Sequence, residues 1–281
     1  MSQTEIGTQN ITPIAFIGGG NMARSLIAGL LRQGVDVARI RVADPNATIR
    51  QALTADFGVQ TFADTAEAVD GAGTWLLAVK PQVICAVCQT LAPRAQTAAP
   101  LVISIAAGIT SVQLQRWLGG ACAVVRAMPN TPALLGAGVT GLHANALVSP
   151  AQRELAERLL SSAGATVWVE DDALIDAVTA VSGSGPAYVF LLAEAMEAAA
   201  LQHGLPTQAA RTLVVQTILG AGRMLTEAGE APAELRRRVT SPNGTTQAAI
   251  ETFQSGGLET LTAQAINAAA RRARELSAAN D

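Results

Sequence analysis

Ile14-Ala15-Phe16-Ile17-Gly18-Gly19-Gly20-Asn21-Met22-Ala23 is the stretch whose reading decides the fold. Four apolar residues with no polar alternation read as a strand buried on both faces, and they stop at a run of glycines. The glycines and Ala23 fit G-x-G-x-x-A, with a helix expected from about Met22 to Leu31. In that pattern the first glycine permits a tight turn and the second lets backbone approach a pyrophosphate. The small third residue lets the helix pack on the strand. The helix start would aim its free N–H groups at the phosphates. A motif this short draws its weight from the strand, turn and helix around it. On this reading Gly18, Gly19, Gly20, Asn21 and Met22 bind a dinucleotide.

Further apolar runs follow at Ile40–Ala43, Trp75–Val79 and Leu101–Ile105, with helix-like segments between them. Alternation of this size predicts a doubly wound α/β domain with a mainly parallel sheet. Val124–Arg126 and Thr166–Val169 could extend it. After Asp172 the texture becomes helical: Pro186–Leu201 closed by Gly204, a second helix capped by Thr207 and running towards Gly229, and a short one opened by Pro232. Thr246–Gln254 and Leu258–Leu276 complete the set. The expected organisation is a Rossmann-like doubly wound domain over residues 1–172 and an all-α domain over 173–281.

Apolar residues make up 49% of the 281 and charged residues 15%, which predicts a globular protein. A formal charge of -3 offers no basic field for nucleic acid. Met1–Asn10 is polar and lacks the form of a signal peptide. Pro186–Leu201 is broken by Glu194 and Glu197 and is shorter than the ~20 residues of a membrane span, so a cytoplasmic protein is expected. The later helices are apolar nearly all round, as at Val214-Val215 and Ile218-Leu219. A bundle of that size cannot bury them alone, which predicts a homo-oligomer.

Loops at strand ends are where such folds gather ligands. Asp44 closes the second strand, where a carboxylate can accept from the adenosine ribose. Asp44-Pro45-Asn46 is equally a good turn sequence. Ala78-Val79-Lys80-Pro81 and Ser104-Ile105-Ala106-Ala107-Gly108 close two more strands. Arg126-Ala127-Met128-Pro129-Asn130-Thr131-Pro132 forms a stiff polar loop after another. In the helical half, Ser182-Gly183-Ser184-Gly185-Pro186 and Ser241-Pro242-Asn243-Gly244-Thr245-Thr246 each precede a helix. Each could present N–H donors and hydroxyls to an anion, or simply cap its helix. Together with a dinucleotide fold they suggest a small anionic substrate.

The only histidines, His143 and His203, sit in no cluster, and no residue set has metal-ligand spacing. Cys85 and Cys88 have C-x-x-C spacing inside an apolar helical pattern. With Cys122, they read as buried reduced thiols. The chemistry then calls for a hydride donor and positioning.

Six blocks carry a wider resemblance: Phe16–Met22, Ala78–Pro81, Ser104–Gly108, Arg126–Pro132, Ser182–Tyr188 and Ser241–Thr246. In this order, across nearly the whole chain, they resemble the pyrroline-5-carboxylate reductases of proline biosynthesis. The resemblance implies a Rossmann domain followed by a helical dimerisation domain, in a homodimer that can assemble as a decamer of five dimers. It implies reduction of the cyclic imine of L-1-pyrroline-5-carboxylate to L-proline by NADPH or NADH. Gly18–Met22, Asp44, Thr65, Ala78–Pro81 and Ile105–Ala107 would hold the cofactor. Met128, Pro129, Asn130, Ser182, Ser241, Asn243, Gly244, Thr245 and Thr246 would line the substrate. The carboxylate would rest on backbone N–H groups of the Ser241–Thr246 loop, supplied by a neighbouring subunit. Thr246 would meet the ring nitrogen as the catalytic hydroxyl.

Three positions depart from the family pattern. Asp44 stands where several relatives carry serine, Thr65 where asparagine commonly touches the cofactor, and Asn243 where glycine is frequent. Two other readings are a β-hydroxyacid dehydrogenase or imine reductase of the same plan, and a non-catalytic NAD(P)-sensing module. The first is disfavoured because Asp176–Gly204 contains no lysine.

Overall fold

The computed structural model describes residues 12–279, so the polar Met1–Asn10 stretch lies outside the described residues. Ile14–Ile17 is strand β1, and Asn21–Arg32 is helix α1 directly behind the glycine turn. The chain then alternates: β2 Ile40–Ala43, α2 Ala47–Phe57, β3 Gln60–Phe62, α3 Thr65–Val69, β4 Thr74–Leu77, α4 Pro81–Ala98, β5 Leu101–Ser104, α5 Ser111–Trp117 and β6 Ala123–Met128. β7 Gly138–Ala144, α6 Pro150–Leu160 and β8 Gly164–Trp168 follow. The eight strands form one sheet in the order β3-β2-β1-β4-β5-β6-β7-β8. All pairs are parallel except β6 with β7. Strand order reverses between β1 and β4, the switch point beside which ligands bind in such sheets.

Both faces of the sheet are covered, as the unalternating apolar runs require. Ile14 and Phe16 join one buried cluster with Leu26, Ile27 and Leu30 of α1, while Ala15 and Ile17 join another with Ile84, Cys88 and Leu91 of α4. β3 and β7 were not foreseen. β3 is three residues long and partly exposed, and β7 carries Gly138, Gly141 and His143 among its apolar residues, so neither presents an unbroken apolar run. The two later runs are strands β6 and β8. Glycines allow close approach here: a Cβ on Gly164 would strike the backbone of Gly138, its register partner in β7, and one on Gly141 would strike the Val178 side chain.

The helical part comprises α7 Leu174–Val178, α8 Gly185–Gln202, α9 Thr207–Glu227, α10 Pro232–Arg238, α11 Thr245–Ser255 and α12 Leu258–Ala278. Two expectations are corrected. Ser182–Pro186 is not a loop opening a helix. Thr179–Gly183 is a π-helical turn whose bond runs from Ser184 N–H to the Thr179 carbonyl at 2.8 Å. Leu174–Gln202 is therefore one helix of 29 residues, and Pro186 lies inside it. Thr207 makes no side-chain cap, since the chain enters α9 from Pro206. Among the described residues this 29-residue helix is the one long and apolar enough to cross a membrane, by length and composition alone.

By compactness the chain divides after Ser184: one unit holds the sheet together with the residues from Ala269 onward, and Gly185–Ala268 forms the other. Residues 173–184 group with the sheet because charge ties them there. Arg126 of β6 is 2% exposed and pairs with Asp172 and Asp176, each at 2.9 Å, while its guanidinium also reaches the Asp172 carbonyl at 3.0 Å. The end of α12 is fastened similarly. Gln113 Nε2 donates to the Ser277 carbonyl at 2.9 Å, while its Oε1 accepts from Thr110 N–H at 2.8 Å in the capping box of α5.

Breaking a buried ion pair from one side leaves the other charge uncompensated. Arg126→Ala should therefore cost about 3–5 kcal/mol, measurable as a lower urea midpoint in equilibrium unfolding.

Candidate active site

Cross-strand bonds fix the strand ends that face the switch point. Gly18 N–H donates to Ala43 O at 2.8 Å, Ala78 N–H to Ile17 O at 2.8 Å and Ile105 N–H to Leu77 O at 3.1 Å. The residues expected at the cofactor thus lie along one edge of the sheet. Gly18 has φ +103°, open to glycine at little cost, and a Cβ there would lie 2.7 Å from the Ala78 carbonyl oxygen. A Cβ on Gly19 would press on Leu53 at 2.6 Å and Ile49 at 2.8 Å, whereas Gly20 looks onto open space. No side chain caps α1, so its first-turn N–H groups remain available to an anion at Asn21 and Met22.

Asp44 is 8% exposed, and both its carboxylate oxygens are engaged. Oδ2 accepts from Gly19 N–H and Oδ1 from Asn46 N–H, each at 2.9 Å. It is a turn residue and also the brace of the glycine turn. Arg50, which the sequence reading passed over, donates to the carbonyls of Asp44 at 2.7 Å and Pro45 at 2.9 Å. Its signal was its place one helical turn past the Asn46 cap of α2.

Thr65 opens α3 behind the cap Asp64. Lys80 is exposed and precedes Pro81 at the start of α4, which has no side-chain cap. Ser104 Oγ accepts from Ala106 N–H at 3.3 Å, and after β5 Ala106 is buried between the half-buried Ile105 and Ala107. Met128, Pro129 and Asn130 extend from the same edge at the end of β6. Ser182 is brought to them: its carbonyl accepts from Asn130 Nδ2 at 3.1 Å, while its hydroxyl turns back to the Val178 carbonyl at 3.0 Å.

Ser241–Thr246 belongs to the helical unit. Asn243 adopts φ +57°, the left-handed backbone a glycine would take more freely. Its N–H donates to Gln247 Oε1 at 2.7 Å, and Gly244 N–H to Ser241 O at 3.1 Å. α11 then starts at Thr245 with no side-chain cap, so this turn offers backbone donors beside the exposed hydroxyl-bearing Thr246. A groove of about 520 Å³ runs next to it, lined in part by Arg236, Thr240, Pro242 and Gln247.

Comparison with known proteins decides among the readings. Residues 172–276 match the family model for pyrroline-5-carboxylate reductase dimerisation, and residues 13–108 match that for coenzyme F420-dependent NADP oxidoreductases. The chain is 55% identical to the pyrroline-5-carboxylate reductase of Pseudomonas aeruginosa over 94% of its own length and 96% of the relative's. The chain belongs to the pyrroline-5-carboxylate reductase family. It is 45% identical to the enzyme of Pasteurella multocida, over 94% of this chain and 97% of that one. A solved pyrroline-5-carboxylate reductase from Coxiella burnetii superposes with a TM-score of 0.92 at 44% identity, over 95% of this chain and 99% of that one. One from Plasmodium falciparum, with NADP bound, superposes at 0.83 and 25% identity, over 96% of this chain and all of that one.

Among the described residues no three His, Cys, Asp or Glu side chains converge as metal ligands. His143 faces the Val169 carbonyl at 3.3 Å, and His203 is exposed in the turn just past the end of α8. The cysteines are free thiols on or beside the buried face of α4. Burial, reinforced by neighbouring Cys85 and Cys122, pushes the Cys88 thiol up to about 12. Cys88 should resist iodoacetamide at pH 8 in the native protein while half-buried Cys85 reacts, as read by peptide mass spectrometry. The folded value lies above the ordinary 9, so this thiol's contribution to stability is complete below pH 9 and is lost as pH rises towards 12.

Proposed function

We propose the following division of labour for the reduction that defines this family. The chain is an oxidoreductase that reduces L-1-pyrroline-5-carboxylate to L-proline with NAD(P)H. The observation that carries the assignment of parts is the sheet edge at the switch point, where the glycine turn, the uncapped start of α1 and the loops after β4, β5 and β6 meet. Gly18 and Gly20 admit the pyrophosphate, and Asn21 and Met22 donate N–H groups to it. Asp44 addresses the adenosine ribose, with Thr65 beyond it. Ala78–Pro81 and Ile105–Ala107 flank the nicotinamide. NAD(P)H supplies the hydride.

An imine with a protonated ring nitrogen already accepts hydride well, so the protein's task is orientation and exclusion of water. The turn Ser241–Thr245, at the uncapped start of α11, holds the substrate carboxylate by backbone N–H groups. The Thr246 hydroxyl contacts the ring nitrogen and steadies its proton. Met128 and Pro129 line the substrate from the β6 side.

The protein works as a homo-oligomer on a small molecule. Large apolar side chains of the helical unit stand in solvent within one copy, including Phe190 at 61%, Leu191 at 66%, Leu213 at 55% and Leu219 at 55%. A second copy covers these faces in a dimer, which explains the apolar 29-residue helix without a membrane; dimers can assemble further, up to five. The protein acts in the cytoplasm. Residues 1–172 hold the cofactor and line the substrate with Met128 and Pro129, and residues 173–281 serve dimerisation and supply the carboxylate turn.

Oxidation of NADH or NADPH, followed by absorbance with pyrroline-5-carboxylate, tests the reaction, and no oxidation of either would refute it. Thr246→Ala should lower kcat/KM by about ten-fold or more, the worth of one transition-state hydrogen bond. Asp44→Ser should lower KM for NADPH relative to NADH, because it removes a carboxylate that repels a 2′-phosphate. Paired kinetics with the two cofactors would show the shift or its absence.

A further inference from the structure

A proline inside a helix has no N–H for the carbonyl four residues before it. Pro186 lies within the continuous helix Leu174–Gln202, so the carbonyl of Ser182 loses its α-helical donor. Such a group costs stability unless another donor finds it. Here the donor comes from outside the helix: Asn130 Nδ2 reaches the Ser182 carbonyl at 3.1 Å. The other end of the same amide is also taken, since Asn130 Oδ1 accepts from Val139 N–H at 2.9 Å. Asn130 is 9% exposed, and so its amide is spent between the start of β7 and the π-helical turn.

Further along, the loop that carries Asn130 is anchored by Ala133, which is buried in the core. Pro129 and Pro132 offer no N–H, and the loop's own backbone bonds are those of a single 3-10 turn, Thr131–Leu135. The π turn is shaped to receive it. Gly183 leaves room for Met128, whose Cε would lie 2.8 Å from a Cβ at that position. Ser182 keeps its hydroxyl on its own helix, so only its carbonyl faces the loop.

We propose that Asn130 is a positioning residue for the reduction: it does not bind the substrate, but seats Met128 and Pro129 by capturing the carbonyl that Pro186 sets free. This rests on the reading of Met128–Pro129 as a wall of the substrate site. π turns inside helices recur at functional sites, and here the turn and the proline together create an acceptor that one amide reads. The cofactor edge is built by other residues, so the effect should fall on the imine step and not on NADH binding.

The test is a double-mutant cycle in the full-length enzyme. Asn130→Asp keeps the acceptor for Val139 and removes the donor to Ser182. Pro186→Ala gives the helix a backbone N–H of its own for that carbonyl. Asn130→Asp alone should lower kcat/KM for pyrroline-5-carboxylate by about ten-fold, the worth of one hydrogen bond. NADH affinity by fluorescence titration should stay within about two-fold, and the deuterium isotope effect on kcat with 4-deuterated NADH should rise, as expected when hydride transfer alone is slowed. Adding Pro186→Ala should return kcat/KM to within about three-fold of the Pro186→Ala enzyme, a coupling that unlinked sites do not show. Additive losses, or an equal loss of NADH affinity, would overturn the proposal. If Asn130→Asp alone does not fold, recovery of a soluble active enzyme by Pro186→Ala is the expected result, and no recovery overturns the proposal. Absence of turnover in the unsubstituted protein would instead refute the reduction itself, and the inference with it.

Discussion

At Gly18 the chain turns with φ +103° directly against the Ala78 carbonyl, and no side chain fits between them. That approach holds the end of β1 to the end of β4, across the point where strand order reverses. The bond from Ala78 N–H to the Ile17 carbonyl closes the same contact from the other side. Asp44 then braces the next residue through Gly19 N–H. The start of α1, the ends of β2 and β4 and the crevice between them all take their positions from this turn. A binding edge built from backbone is rigid before any ligand arrives, which lowers the ordering cost of binding.

The parallel core was legible because burial on both faces leaves a simple mark. Ile14–Ile17 and Leu101–Ser104 are continuous apolar runs, and the structure puts alternate residues of the first into separate cores. Where one face is polar or backbone packs on backbone, that mark fades. β7 escaped notice because its glycines exist for contact with Val178 and with β8, contacts that no local pattern reports. The same limit applied at Ser182–Pro186. Glycine, serine and proline read as a loop, yet Arg126 with its two aspartates and Asn130 with its amide stabilise a helix through that stretch. Tertiary bonds from partners some fifty residues away outweighed local propensity.

The loops of the site were easier to find than their working state. Composition marks Ser241–Thr246 as a helix start rich in donors, and the uncapped start of α11 agrees. It does not reveal that a carboxylate at Asp44 already has two N–H partners, or that an arginine six residues on lies over the same turn. Such details depend on side-chain directions at the end of β2, which residue order alone leaves open.

Aromatic residues are only 3% of this chain, and the sheet unit compensates by bringing backbones together at Gly18, Gly29 and Gly164. This choice shapes how the protein can change. A core filled by large side chains drifts gradually, one methylene exchanged for another with modest loss. Contacts between bare backbones have no smaller residue to retreat to and no larger one to admit. Change in this unit is therefore stepwise: its leucines and valines are free to be reshuffled, while a few glycines act as fixed points around which any descendant sequence must be written.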